Sequence, residues 1–274
     1  MSDKVVLITG TSTGIGQAVA VAAAEAGCTV VATMRDPGRG DELRKAAGGI
    51  DIRAMDVTDP DSVLGGVAGV VADYGRLDAV INNAGVSVLG TAENLPMAEI
   101  RRAMEVNYFG VVEMTRAALP HLRATKGRVI TVTSVGGVVG QPFNEAYCAA
   151  KFAVEGFMES LAPVAATVGV GVSVVEPGAV ATAFVANAKV DPVAAVAEAG
   201  PYAPALQAYI DRTLGAYTTS QTAEEVAAVV LRALTAEPPV LRWQTSDWAQ
   251  TFVATKITDL DGARVQALTS DWVR

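Results

Sequence analysis

The chain has 274 residues, 51% hydrophobic and 18% charged, which excludes a disordered or fibrous protein and allows a sizeable buried core. Its net charge of −8, with Lys and Arg scattered in no run, argues against a nucleic-acid partner, because phosphate binding needs a basic face. Every stretch of ~18 apolar residues is interrupted by Gly or charge, so no membrane span is expected.

The start, Met1-Ser2-Asp3-Lys4, leads directly into an apolar strand with no targeting signal. The two cysteines, Cys28 and Cys148, lie far apart in no metal-ligand spacing. A reduced, cytoplasmic protein without a metal is the expectation.

Short β-branched runs alternate with Ala-rich helical stretches. Strands are predicted at 5–9, 29–34, 50–55, 77–82, 128–133 and 172–176, with a seventh near 240–243. Helices are predicted at 14–26, 59–73, 98–123 and 146–168. This alternation implies an α/β fold: a doubly wound, Rossmann-like parallel sheet of about seven strands with helices on both faces. Residues 38–49 are Gly- and charge-rich and read as a connection with at most a short helix. Residues 183–220 hold Ala, Pro and Gly and no strand, and are read as a substrate lid inserted into a single domain, 1–274. Pro163 should kink its helix or end it early.

The first strand runs into Thr9-Gly10-Thr11-Ser12-Thr13-Gly14-Ile15-Gly16, and a helix follows. Glycines there permit a tight turn and let the backbone approach a pyrophosphate, while the helix N-terminus supplies amide donors. Gly10, Ser12, Thr13, Gly14, Ile15 and Gly16 are therefore candidate dinucleotide contacts. Arg35 follows the second strand, 25 positions after Gly10. An acidic residue there would accept from a ribose 2′-hydroxyl, whereas a basic one pairs with a 2′-phosphate, so the pattern favours NADP(H). Ser12 would add a hydroxyl to the same phosphate. A surface pairing of Arg35 with Asp36 is the plainer alternative. Asp56-Val57, after the third strand, would accept from an adenine amino group or cap the next helix. Asn82-Asn83-Ala84-Gly85 closes the fourth strand where ligands sit, and there Asn83, Ala84 and Gly85 either meet the dinucleotide or brace the turn.

Tyr147 and Lys151 are four residues apart, about one helical turn, which puts a phenol beside an ammonium. A fixed cation favours the phenolate and draws a group that ionises near pH ~10 toward working pH. Such a pair gives and takes a proton near neutrality. Ser134 lies thirteen residues before the Tyr.

Together, Thr9-Gly10, Gly14-Ile15-Gly16, Asn82-Asn83-Ala84-Gly85, Asn107, Ser134, Tyr147, Lys151 and Pro177-Gly178 resemble the motifs of the short-chain dehydrogenase/reductase family in order and spacing across residues 1–182. Ala32-Thr33-Met34-Arg35-Asp36, Pro142-Phe143-Asn144 and Leu241-Arg242-Trp243 resemble its branch of 17β-hydroxysteroid and retinol dehydrogenases.

The resemblance implies hydride transfer between a nicotinamide and a carbonyl or carbinol carbon. Tyr147 would be the general acid/base, and Lys151 would tune it and hold the nicotinamide ribose. Ser134 would donate to the substrate oxygen, and Asn107 would hold a relay water. Pro177, Gly178, Val180 and Thr182 would hold the carboxamide end. It implies a homodimer or homotetramer, NADP(H) as cofactor, and a small apolar ketone or alcohol as substrate. The branch's steroid enzyme carries a lid histidine; here the matching stretch reads Tyr202-Ala203-Pro204-Ala205-Leu206, and the one histidine is His121.

Two rival readings remain. A non-catalytic NADP(H)-binding regulatory protein on the same fold would tend to lose the Tyr or Lys. A hydrolase would use Gly10-Thr11-Ser12-Thr13-Gly14 as a nucleophile elbow with His121 as its base.

Overall fold

Seven short apolar runs pair into one sheet among the described residues: β1 Val5–Thr9, β2 Thr29–Met34, β3 Asp51–Ala54, β4 Ala79–Asn82, β5 Arg128–Val132, β6 Gly171–Glu176 and β7 Arg242–Gln244. Their order is β3-β2-β1-β4-β5-β6-β7, and each neighbouring pair is parallel. The structure, a computed structural model, describes residues 3–182, 191–217 and 220–273.

The helices are α1 Gly14–Glu25, α2 Asp41–Ala46, α3 Pro60–Tyr74, α4 Met97–Met104, α5 Gly110–Thr125, α6 Glu145–Ala166, α7 Pro192–Glu198, α8 Ala203–Tyr217, α9 Ala223–Thr235, α10 Asp247–Ile257 and α11 Ala263–Ser270. Side chains from α3, α5 and α6, including Val67, Met114, Leu122, Val154 and Met158, pack on one face of the sheet. Val19 and Ala23 of α1 and Val230 and Leu234 of α9 pack on the other. Covered on both sides, β1, β4 and β5 are buried along their whole length, which is why their sequences are continuously apolar rather than alternating.

A third cluster joins Val135 and Phe143 to Leu206 and Ile210 of α8, Phe252 of α10 and Trp272. It takes in the residue after Ser134 and a residue just before α6. Among the described residues no helix is long and apolar enough to cross a membrane.

Three expectations are refined. The helix expected over 98–123 is interrupted between α4 and α5 by a π turn, Glu105–Phe109. Such wide turns insert a residue and re-aim the side chains around them. Pro163 does not end α6, which continues to Ala166. It sits near the helix end and is exposed, so the one helical bond it forgoes frees the carbonyl of exposed Glu159. Within the stretch read as a lid, α7 and α8 occupy most of 191–217; residues 183–190 and 218–219 lie outside the described residues.

Candidate functional site

β1 leads to β2 on one side while its other neighbour is β4, so a crevice opens beyond the carboxyl ends of β1 and β4. Ligands bind at such a switch point. Two clips hold it. The Thr9 hydroxyl accepts from the backbone N–H groups of Asn83 and Ala84, each at 3.0 Å. The Asn83 side-chain amide donates to the carbonyls of Thr9 and Gly10, at 2.9 and 3.0 Å. Asn83 thus braces the loop.

Gly10 and Gly14 hold φ of +71° and +62°, which side chains rarely adopt. A Cβ on Gly16 would lie 2.3 Å from Asn83 Nδ2 and 2.4 Å from Gly10 O, so that close packing admits only glycine.

The geometry of this loop fits a dinucleotide pyrophosphate. Asp59, Asp191, Thr222 and Ser246 cap α3, α7, α9 and α10 with side-chain hydrogen bonds. Thr13, at the start of α1, makes no such bond. The first amides of α1 lie at the positive end of the helix, where an anion binds; α2, α4 and α6 likewise start without a side-chain cap. Ile15 opens that helix and packs toward the α1 face of the sheet.

Arg35 is exposed at the end of β2, and among the described residues it forms no ion pair. Asp36 is occupied elsewhere, accepting from Gly38 N at 2.9 Å and capping a short 3-10 turn. The helix cap before α3 is Asp59 itself. Asp56 instead accepts through Oδ1 from the N–H and hydroxyl of Thr58. Val57 packs against Gly110, where α5 begins.

Ser134 follows β5, and its Oγ accepts from Gly136 N at 2.9 Å. The place a Cβ would take on Gly136 is 3.3 Å from Ser134 Oγ and 3.4 Å from a Tyr147 ring carbon. Ser134 and Tyr147 therefore flank a bare glycine. On α6, Lys151 Nζ lies 5.8 Å from the Tyr147 ring centroid and donates to Val132 O at 3.0 Å. Lys151 is buried, and burial pushes its pKa down to about 8, with the Glu155 carboxylate pulling the other way.

Asn107 sits in the π turn, fully buried. Its amide donates to Val86 O at 2.9 Å and accepts from Val86 N at 3.0 Å. A Cβ on Gly85 would lie 3.0 Å from Asn107 Oδ1 and 3.8 Å from Lys151 Nζ, so these two side chains converge on Gly85.

Beyond β6, Pro177 O accepts from Val135 N at 3.0 Å, tying this segment to the residue after Ser134. Val180 bridges to Gln221. Thr182 packs on Gly14, 3.1 Å from where that glycine's Cβ would be. The four strand ends thus gather Gly10–Gly16, Asn83–Gly85, Ser134 and Pro177–Thr182 into one crevice. His121 lies elsewhere: α5 ends at Thr125, whose hydroxyl donates to Leu77 O at the amino end of β4. Ser12 and His121 are thus at opposite ends of the sheet, which removes the hydrolase arrangement.

Residues 4–192 match the family model for short chain dehydrogenase. The chain belongs to the short-chain dehydrogenase family. Among relatives of this short-chain dehydrogenase is estradiol 17-beta-dehydrogenase 1 of Rattus norvegicus, 38% identical over 89% of this chain and 74% of that protein. Retinol dehydrogenase 8 of Bos taurus is 34% identical over 96% of this chain and 88% of its own. The crystal structure of a short-chain dehydrogenase from Streptomyces avermitilis superposes with a TM-score of 0.79 at 32% identity, covering 99% of this chain and 96% of that one. The fold of this family binds a nicotinamide dinucleotide. The choice between NAD and NADP falls to the chain's own residues.

Sequence reasoning left several residues of this short-chain dehydrogenase unplaced or unnoticed. The Trp248 ring lies 3.0 Å from where a Cβ on Gly178 would be, stacks on Phe252 at 4.9 Å and is half-exposed. Trp243 is on the other face of the sheet, under the guanidinium of Arg232. Asn144, before α6, donates to the Tyr209 hydroxyl of α8 at 2.6 Å. Glu155, one turn after Lys151, carried a signal that was available: an acidic residue on the same helical face as Tyr147 and Lys151.

Proposed function

We propose that this short-chain dehydrogenase is an NADP(H)-dependent oxidoreductase that interconverts an apolar ketone and its secondary alcohol, with Tyr147 as general acid/base. The observation that carries this reading is the buried Lys151 beneath the Tyr147 ring, beside Ser134. The bound dinucleotide supplies or takes the hydride.

Tyr147 moves the proton at the substrate oxygen. The Lys151 ammonium favours the phenolate. Because Ser134 Oγ already accepts from Gly136 N, its own proton is left to donate to the substrate oxygen, where it stabilises developing negative charge. Asn107 spends one donor and one acceptor on Val86 and keeps one of each for a water beside Lys151.

Gly10, Ser12, Thr13, Gly14, Ile15 and Gly16 would cradle the pyrophosphate, and Arg35 with Ser12 the 2′-phosphate. Asp56, through the oxygen not given to Thr58, and Val57 would meet the adenine. Asn83, Ala84 and Gly85 would line the middle of the dinucleotide, Lys151 and Tyr147 its nicotinamide ribose, and Pro177, Gly178, Val180 and Thr182 its carboxamide end. The half-exposed Trp248 beside Gly178 supports an apolar substrate, as do relatives named for estradiol and retinol. The stretch that matches the steroid enzyme's lid histidine reads Tyr202-Ala203-Pro204-Ala205-Leu206 and holds no imidazole, which argues for a substrate without that second polar group.

The stretch 183–220 is read as the lid of a single catalytic domain. The α5 and α6 surface, with Val164 64% exposed beside Leu119, Pro120, Leu161 and Val168, supports a homo-oligomer.

A panel of apolar ketones and secondary alcohols, run with NADPH, NADH, NADP+ and NAD+, tests the reading. Turnover of ketones with NADPH in preference to NADH is expected. No turnover across the panel overturns the activity, and an NAD(H) preference overturns the cofactor assignment.

A further inference from the structure

A second group of charges lies directly behind the Tyr147–Lys151 pair. Glu155 is 4% exposed and Glu176, the last residue of β6, is fully buried. One guanidinium, Arg242 of β7, serves both: its Nη1 donates to Glu155 Oε2 at 2.6 Å and to Glu176 Oε1 at 2.9 Å. Its Nη2 donates to Glu159 at 2.7 Å, a carboxylate whose side chain is 61% exposed. Gln244 donates to the remaining oxygen of Glu176 at 2.8 Å. Three carboxylates therefore share one arginine, leaving an excess of negative charge in a largely buried place.

Glu155 is singular within this cluster. Its Oε1 is buried and accepts no hydrogen bond. It stands four residues after Lys151 on one face of α6. The turn after Ser134 presses on this part of the helix: a Cβ on Gly137 would lie 3.0 Å from Glu155 Cγ and 3.1 Å from Lys151 O. The groups facing Glu155 are Glu176 of β6, Arg242 of β7 and Thr133 after β5, whose hydroxyl donates to Val175 O; Glu159 of α6 shares the same arginine, and Lys151 stands one helical turn away with its Nζ donating to Val132 O. Lys151 is thus the second cation beside a cluster that has only one.

We propose that Glu155 is a positioning residue for the reaction: its buried carboxylate, fixed by Arg242, holds Lys151 as the ammonium that Tyr147 needs. This rests on the reading of Tyr147 and Lys151 as the acid/base pair. Burial pushes the Glu155 pKa up to about 7, with Glu176 adding to it and Arg242 opposing. The carboxylate therefore becomes charged just below the range in which Lys151 titrates.

The test compares Glu155→Gln with Glu159→Gln, which removes a partner of the same arginine on its exposed side. In the oxidation direction the working form holds Tyr147 ionised and Lys151 protonated. The pH–rate profile of the dinucleotide-loaded enzyme therefore falls on its alkaline side as Lys151 loses its proton. Glu155→Gln should move that limb about one pH unit toward acid, while Glu155→Asp and Glu159→Gln leave it near its original place. The 13Cε resonance of Lys151, identified by its loss in Lys151→Met, should show the same shift without substrate.

An unmoved limb and an unmoved resonance in Glu155→Gln overturn the proposal. If that variant does not fold, the wild-type resonance decides: Lys151 should report two coupled steps, its own and that of Glu155, and a single step overturns the proposal. A near-normal rate for Tyr147→Phe would instead overturn the acid/base reading itself.

Discussion

The Asn144 side chain donates a 2.6 Å hydrogen bond to the hydroxyl of Tyr209, joining the residue that opens the Tyr147 helix to a helix 65 positions later. The Tyr209 ring also meets Phe143 edge-on at 5.8 Å and lies 6.5 Å from Trp272. This contact anchors α8 over the crevice. Removing the hydroxyl in Tyr209→Phe should cost about 1 kcal/mol of that anchoring and raise the substrate KM roughly fivefold, with kcat and dinucleotide affinity little changed. Steady-state kinetics with both ligands varied will check it; an unchanged KM means α8 is held by packing alone.

Tyr147→Phe keeps the ring against Gly136 and removes the proton. Its kcat should fall by roughly 10²- to 10⁴-fold, while the dinucleotide Kd, read by fluorescence titration, stays near the wild-type value.

Arg35→Asp exchanges an exposed cation for an anion at the end of β2. A lost charge-assisted hydrogen bond of ~1.5–3 kcal/mol should swing the NADP(H):NAD(H) ratio of kcat/KM by roughly 10- to 100-fold toward NAD(H). A ratio that does not move would place the 2′-phosphate contact on another residue.

Gly16→Ala would set a methyl 2.3 Å from Asn83 Nδ2 and 2.4 Å from Gly10 O. Asn83 must give way, loosening the clip between β1 and β4. A loss of ~1–3 kcal/mol is expected, lowering Tm by roughly 3–10 °C and weakening dinucleotide binding. Thermal denaturation with and without NADP(H) separates the two effects.

The buried charges give stability a pH dependence of defined sign. The Glu155 pKa is raised to about 7 from the ordinary 4.5, so the folded protein holds its proton more tightly than the unfolded chain. This contribution is fully present at acid pH and is lost as pH rises through about 7. Lys151, lowered to about 8 from 10.5, acts oppositely: its contribution is present above 10.5 and is lost as pH falls through about 8. Denaturation curves should show stability declining between about pH 5 and 7, and Glu155→Gln should flatten that decline. A decline of the same slope in the variant would assign it to other carboxylates.

Most of the sheet was legible because β-branched runs such as Val5–Thr9 and Thr29–Met34 end in glycine loops or a polar change, and those two strands have the expected bounds. The Gly10–Gly16 loop, Ser134, Tyr147 and Lys151 were legible as candidates because the chemistry proposed for them imposes local spacing. Other features leave no local mark. The wide turn around Asn107 depends on backbone bonding rather than residue type. Arg242 and Glu155 are 87 positions apart and meet only because β7 lies beside β6. Phe143 holds a φ of +59°, uncommon for a bulky side chain, and nothing in its identity signals it.

The placement of β1 between β2 and β4 has a practical consequence for redesign. Arg35 follows β2, whereas Ser134, Tyr147 and the helices α7 and α8 all follow strands on the far side of β1. On the proposed function, selection between dinucleotides and selection between substrates are written on separate halves of the chain. A laboratory library confined to residues 35–57 should retarget the coenzyme without retraining the substrate pocket, and one confined to 191–217 should do the reverse.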